Sequence, residues 1–299
     1  MKKKIQVIKY SKVWLAISAT LVTASIVCIA IFGLNFGIDF TGGSLLEVKI
    51  DGEVSLNDVR DVTSAAGFDA VVQESEDGQY LIRTETVTPE EHDQIISGLS
   101  DRFESVEEYR FESVGPAIGE ELKEKSVMAV ILLLVLIMLY VAWAFRKVSK
   151  PVASWKYGVL TIIAAIHDVL IPLGIFAVLG RFLGFQIDTA FVAAMLTILG
   201  YSINDTIVIF DRTRENLSAL RHSDTSFSDI VNNSVVQSFG RSINTSLTTL
   251  LVLVAILLFG GETTKQFILA LIIGIVSGAY SSLFLASPLL VMLQKKIRG

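Results

Sequence analysis

Six stretches of this chain stay apolar for about as long as a bilayer core is thick, and no other feature constrains the fold as strongly. A hydrocarbon core of about 30 Å takes roughly 20 apolar residues in helical form, because in lipid each backbone N–H and C=O must find its partner inside its own segment. The runs cover residues 13–33, 126–145, 157–179, 189–210, 243–259 and 267–292. The first two hold no charge, the third holds His167 and Asp168, the fourth holds Asp205, and the short fifth begins just after Arg241. Of 299 residues, 52% are hydrophobic and only 18% charged, against about 25% charged in a soluble domain. The chain is therefore expected to be an α-helical polytopic membrane protein with six transmembrane helices. Its single cysteine, Cys28, allows neither an intrachain disulfide nor a cysteine zinc cluster, and His92, His167 and His222 are too scattered to suggest a metal site.

Lys and Arg set the orientation of such a chain. Lys2, Lys3, Lys4, Lys9 and Lys12 precede the first span; Arg146, Lys147, Lys150 and Lys156 lie between the second and third. Arg212, Arg214, Arg221 and Arg241 lie between the fourth and fifth, and Lys295, Lys296 and Arg298 follow the sixth. The two short opposite loops carry only Arg181 and Lys265. Both termini and a loop over 211–240 are thus expected in the cytoplasm, and residues 34–125 outside. The first apolar run is longer than the 7–15 residues of a cleaved signal's apolar region, so it reads as a retained anchor over residues 1–33.

Residues 34–125 have a different composition, with 22 Asp/Glu against 7 Lys/Arg, while the rest of the chain has 8 against 18. Strands are predicted at 44–50, 70–73, 80–84 and 106–114, with Glu76-Asp77-Gly78 as a turn. Helices are predicted at 56–66, capped by Ser55 with Asp58 in the first turn, and at 88–99, where Thr88 and Glu91 form a capping box. The order β-α-β-β-α-β predicts a small α+β ferredoxin-like extracytoplasmic domain. It has no cysteine, one histidine and no glycine-rich phosphate loop, which suits binding or movement better than chemistry.

Ionisable groups inside spans are costly and mark function by default. Asp205 is placed about six residues, or roughly 9 Å at ~1.5 Å per residue, from the inner end of the fourth span. Arg241 is placed at the inner start of the fifth. Arg241, Asn244, Thr245, Thr248 and Thr249 recur at helical spacing, and Thr197, Gly200, Asn204, Asp205 and Val208 share a face of the fourth span. A low-dielectric site disfavours an ionised carboxylate and a nearby guanidinium favours it, so a moving Asp/Arg pair could take up and release a proton. Arg241 as a topological anchor, and Asp205 as a kink cap bonded to Asn204, are the plainer readings. His167 and Asp168, with Pro172 loosening the helix four residues on, suit helix packing or a proton path. Gly274, Ser277, Gly278 and Ser281 form a small-residue face suited to close packing.

Three segments carry a resemblance. Gly37-Ile38-Asp39-Phe40-Thr41-Gly42-Gly43 after the first span resembles the signature of the SecD/SecF family. Gly200-Tyr201-Ser202-Ile203-Asn204-Asp205-Thr206 with its continuation to Arg212, and Arg241 followed by Ser242-Ile243-Asn244-Thr245-Ser246-Leu247-Thr248-Thr249-Leu250, resemble the family's fourth- and fifth-span motifs. The likeness covers nearly the whole chain in order, and the small outer domain is more similar to SecF than to SecD. The resemblance implies half of an RND-type transporter that pairs with a SecD-like protein, in many bacteria with YajC, beside the SecYEG channel. It implies the use of proton-motive force to help draw unfolded exported polypeptides across the bacterial plasma membrane, with Asp205 and Arg241 at the family's proton-transport positions. Asp39 gains no role from it, while Gly37, Gly42 and Gly43 suit a turn joining membrane to first strand. Lipids are the remaining partner; no cofactor, metal or nucleic acid is implied. An RND-like half of a small-molecule transporter and a non-conducting assembly scaffold are the competing readings, and an enzyme is the weakest.

Overall fold

The computed structural model describes residues 6–52, 54–74, 78–146, 152–220 and 224–298. Lys2, Lys3, Lys4, Lys147, Lys150 and Arg221 of the charge pattern, and Glu76 and Asp77 of the expected turn, lie outside the described residues. In chain order the elements are α1 (Ser11–Phe32), the single-turn α2 (Ile38–Thr41), β1 (Gly43–Ile50), α3 (Leu56–Ala65), β2 (Val71–Glu74) and β3 (Gln79–Thr84). Then follow α4 (Pro89–Arg102), β4 (Val106–Val114), α5 (Pro116–Ala144), α6 (Ser154–Leu183), α7 (Thr189–Ala219), α8 (Phe227–Phe259), α9 (Glu262–Ser281) and α10 (Ser287–Arg298). The chain divides into a helical unit (Met1–Leu34, Met128–Phe185, Ala190–Gly299) and a smaller unit (Asn35–Val127 with Gln186–Thr189).

In the smaller unit the strands form one antiparallel sheet in the order β2-β3-β1-β4. Side chains alternate across a strand, so Leu46, Val48 and Ile50 of β1 and Tyr80 and Ile82 of β3 point to one face. There they are buried with Val59 and Val62 of α3 and Ile95 and Leu99 of α4. The helix starts follow local chemistry: Ser55 Oγ accepts from Asp58 N at 3.2 Å. Thr88 and Glu91 close a reciprocal capping box, with Glu91 Oε2 accepting from Thr88 N at 2.7 Å. The four-residue segment Gln186–Thr189, distant in sequence, joins this unit through a parallel bridge between Phe36 and Ile187.

Among the described residues six helices are long and apolar enough to cross a membrane: Ile8–Phe32, Pro116–Ala144, Ser154–Leu183, Thr189–Ala219, Phe227–Phe259 and Thr264–Gln294. They overrun the expected spans: α7 runs on to Ala219 and α8 begins at Phe227, so much of the stretch 211–240 is helical. Charged residues end the apolar run without ending the helix. Arg214 pairs with Asp211 and Arg212 with Glu215, each at 2.7 Å and three residues apart, which supports a further turn. Ser226 then caps α8 by accepting from Asp229 N at 3.1 Å. In consequence Asp205 and Arg241 stand near the middles of α7 and α8, which continue past the apolar runs.

Close approach dominates packing in the helical unit. A Cβ on Gly174 of α6 would lie 2.4 Å from Ser25 Cβ of α1; on Gly278 of α9 it would lie 2.7 Å from Ser202 Cβ of α7. These glycines let backbones meet where no hydrophobic force drives helices together in lipid. Phe145, Tyr157 and Phe210 form a buried aromatic cluster with centroids 5.1–6.2 Å apart. Between α9 and α10 the helix widens into a π turn over Ser282–Ala286.

Candidate functional site

Asp205 is 3% exposed, and its Oδ2 has no hydrogen-bond partner. A carboxylate oxygen buried without a donor is expensive in a low-dielectric surround, so the position is one the fold supports at a cost. The groups placed to act on it electrostatically are Ser242 and Arg241, neighbours on α8. No ion pair within 4.0 Å joins Arg241 to Asp205 among the described residues. The serines Ser234, Ser238, Ser242 and Ser246 recur every fourth residue and form the buried face of α8. Ser242 Oγ and Ser246 Oγ are also without partners.

That inward serine stripe has no charge to mark it in the sequence, where the more polar Arg241, Asn244 and Thr248 stand beside it. Arg241, Asn244 and Thr248 are exposed in the isolated chain and Thr245 half-buried. Thr245 and Thr248 donate back to their own helix, to the carbonyls of Arg241 (2.8 Å) and Asn244 (3.0 Å). Asn204 is exposed, whereas its neighbour Asp205 is buried; adjacent helical residues are turned about 100° apart, so the two do not share a face. The expected set thus divides: Asp205 faces inward, as does Ser242 of α8, while Arg241, Asn204, Asn244 and Thr248 lie on the exposed polar surface, and Arg241 acts on Asp205 through its charge. Tyr201 and Thr249 link α7 to α8 through hydroxyls 3.2 Å apart.

Asp168 occupies a second buried site, at 0% exposure. Its Oδ1 lies 2.9 Å from His167 Nδ1 and accepts from Ser277 Oγ at 3.2 Å. Its Oδ2 accepts from Ser202 Oγ at 2.5 Å and Ser281 Oγ at 2.7 Å. The small-residue face of α9 therefore packs closely and also binds a carboxylate. Ser202 sits inside the fourth-span motif, and only the tertiary structure pairs it with Asp168.

In the smaller unit the glycine-rich segment makes a tight corner. Gly42 and Gly43 have φ of +72° and +126°, which side chains disfavour. A Cβ would meet Pro116 Cα at 2.8 Å from the first and Thr84 O at 2.7 Å from the second. Asp39 accepts from the backbone N and the Oγ1 of Thr189, the first residue of α7. Gly37 N donates to Ile187 O at 2.9 Å. Among the described residues no three His, Cys, Asp or Glu side chains gather closely enough to hold a metal ion.

The sequence has wide likeness to known export proteins. Residues 94–296 match the family described as "Protein export membrane protein SecD/SecF, C-terminal", and residues 29–54 match the "SecD/SecF GG Motif". The protein translocase subunit SecF of Thermobaculum terrenum is 42% identical, over 98% of this chain and 95% of that one. The chain belongs to the SecD/SecF family. Its SecF relative from Anaerolinea thermophila is 38% identical over 93% of this chain and 90% of that protein. The crystal structure of SecDF, described as a translocon-associated membrane protein from Thermus, matches with a TM-score of 0.86 and 34% identity. That match takes in 98% of this chain but only 39% of the SecDF chain. Family membership and the six apolar helices make this SecF relative a multi-pass membrane protein.

Proposed function

We propose that the chain is an accessory subunit of the Sec protein export machinery and couples proton-motive force to late steps of translocation. The observation that carries the coupling is Asp205, buried in mid-helix with one carboxylate oxygen unpartnered. It can take a proton without first breaking a hydrogen bond. Arg241, near it but not ion-paired, sets how readily the carboxylate gives the proton up. The exposed polar residues Asn204, Asn244 and Thr248 would be unfavourable against lipid, which supports a second half covering them. The SecDF relative, of which this chain spans 39%, supports a SecD-like protein as that half; SecYEG and YajC are further partners that the sequence resemblance implies. The β-α-β-β-α-β unit is read as a ferredoxin-like domain outside the plasma membrane, with both chain termini inside, as the Lys/Arg bias favours.

Asp205→Asn keeps size and hydrogen bonding but cannot ionise. In inverted vesicles with an imposed proton gradient it is expected to abolish the gradient-dependent part of export while leaving protein level and partner association intact. Normal gradient-driven export by that variant would remove the relay and leave an assembly scaffold. Orientation is checked separately with a cysteine at Asp93, whose side chain is 82% exposed, in a Cys28→Ser background. An impermeant thiol reagent is expected to label it in intact cells or spheroplasts; labelling only after lysis would reverse the topology.

A further inference from the structure

The helical unit holds two buried carboxylates, and their surroundings differ in kind. A carboxylate offers about four lone-pair directions to donors. At Asp168 three serine hydroxyls donate into them, Ser277 at Oδ1 and Ser202 and Ser281 at Oδ2, and His167 Nδ1 lies 2.9 Å from Oδ1. At Asp205 one oxygen stands empty. We propose that Asp168 is a positioning residue for Asp205: the hub of three serine hydroxyls and His167 latches α6, α7 and α9 and fixes the rotation and depth of the α7 turn that carries the Asp205 carboxylate. Asp168 is not itself a stop on the proton path. The proposal rests on the proton-relay reading of Asp205.

Three sets of contacts bracket Asp205 along one side of α7. A Cβ on Gly274 would lie 2.1 Å from Ile198 Cδ1, so the Ile198 side chain of α7 packs directly onto α9 there. One turn further on, Ser202 meets both Gly278 and Asp168. Beyond that, Thr206 Oγ1 stands 2.8 Å from Ser282 Oγ, which also donates to Ser202 O at 3.1 Å. Ser282 opens the π turn, a feature that recurs at functional sites. The hub reaches α1 as well. The His167 ring stacks on Tyr280 at 5.9 Å, and the Tyr280 hydroxyl donates to Trp14 O at 2.8 Å. Around Asp168, α6 contributes His167 as its titratable neighbour and α9 contributes Tyr280 behind it. The groups reaching it from α7 and α9 themselves are serine hydroxyls. Both Asp168 oxygens already accept serine hydroxyls, whereas Asp205 keeps one oxygen open.

The test uses the chain in complex with its partner, in inverted vesicles, with Asp168→Asn, Asp168→Ala and Ser202→Ala compared with Asp205→Asn. Misplacing a reacting group by about 1 Å can cost on the order of 10²-fold, so Asp168→Ala is expected to lower gradient-driven export by about that factor. Asparagine keeps an acceptor, and the serine hydroxyls can turn to accept from its amide. Asp168→Asn is therefore expected to recover most of the loss and to keep the parental pH midpoint of export. Amide hydrogen exchange over residues 198–206 is expected to quicken in Asp168→Ala and return towards parental in Asp168→Asn; this readout stands whether or not Asp205 carries protons. If Asp168→Ala fails to accumulate, Ser202→Ala carries the same test and is expected to shift both readouts in the same direction by less. A displaced pH midpoint in Asp168→Asn would overturn the proposal by making Asp168 a carrier. So would parental exchange and export in Ser202→Ala or in a folded Asp168→Ala. Normal export by Asp205→Asn would instead overturn the relay reading, which separates the two failures.

Discussion

Asp39 and Thr189, 150 residues apart, meet through one carboxylate oxygen that accepts both the backbone N–H and the hydroxyl of Thr189. The N–H is one of the orphan donors at the start of α7, and a negative charge there also suits the helix dipole. Asp39→Ala is expected to lower stability by about 0.5–2 kcal/mol, the usual range for a lost cap, and Asp39→Asn by less because its amide oxygen still accepts. The melting temperature of the purified full chain in detergent measures both. Equal melting of Asp39→Ala and parent would show that the contact contributes nothing.

Gly43 is expected to tolerate no side chain. Its φ of +126° disfavours L residues, and the atom a Cβ would strike, Thr84 O at 2.7 Å, belongs to the backbone and has no rotamer to escape into. Gly43→Ala should cost on the order of 1–3 kcal/mol. Gly115, where an added Cβ meets nothing within 4 Å, supplies the control, and Gly115→Ala should melt close to parent.

At Gly274 the clash is with a flexible side chain, so relief is possible. Gly274→Ala would press its Cβ to 2.1 Å from Ile198 Cδ1, an overpacking expected to cost about 1–3 kcal/mol. Adding Ile198→Ala should return much of the lost melting temperature. A double-mutant cycle reads the coupling directly, and additive effects would contradict the contact.

Arg241 distinguishes a proton-tuning role from a topological one. Lysine keeps the charge and loses the planar fork, so Arg241→Lys is expected to export at a partly reduced rate under a proton gradient. Arg241→Met is expected to lose gradient dependence nearly as fully as Asp205→Asn. A mild Arg241→Met defect with normal insertion would make this residue an anchor alone.

Much of the architecture was legible because its causes are local. Apolar length marks a helix that can cross a bilayer, alternation marks the strands of the smaller unit, and Ser55, Thr88 and Glu91 declare their helix starts by spacing alone. Helix ends were less legible at 211–240. There hydropathy changes while the helix continues, carried on by the ion pairs of Arg212 and Arg214. The polar residues divided in the same way. Asp205 and Asp168 stand out in any sequence reading, since few charges lie within apolar runs.

The sequence by itself determined which helices form and which two carboxylates lie among apolar residues, because backbone pairing and apolar length act within a segment. Only the tertiary structure decided which of them is saturated. Ser202, Ser277 and Ser281 are small residues without a periodic charge signal, and they become ligands of Asp168 when α6, α7 and α9 approach within hydroxyl reach. The same holds for Asp39 and Thr189, whose contact depends on how the chain returns after α6. A hydrogen bond needs its two atoms within about 3 Å, and for residues far apart in sequence that distance is set by packing.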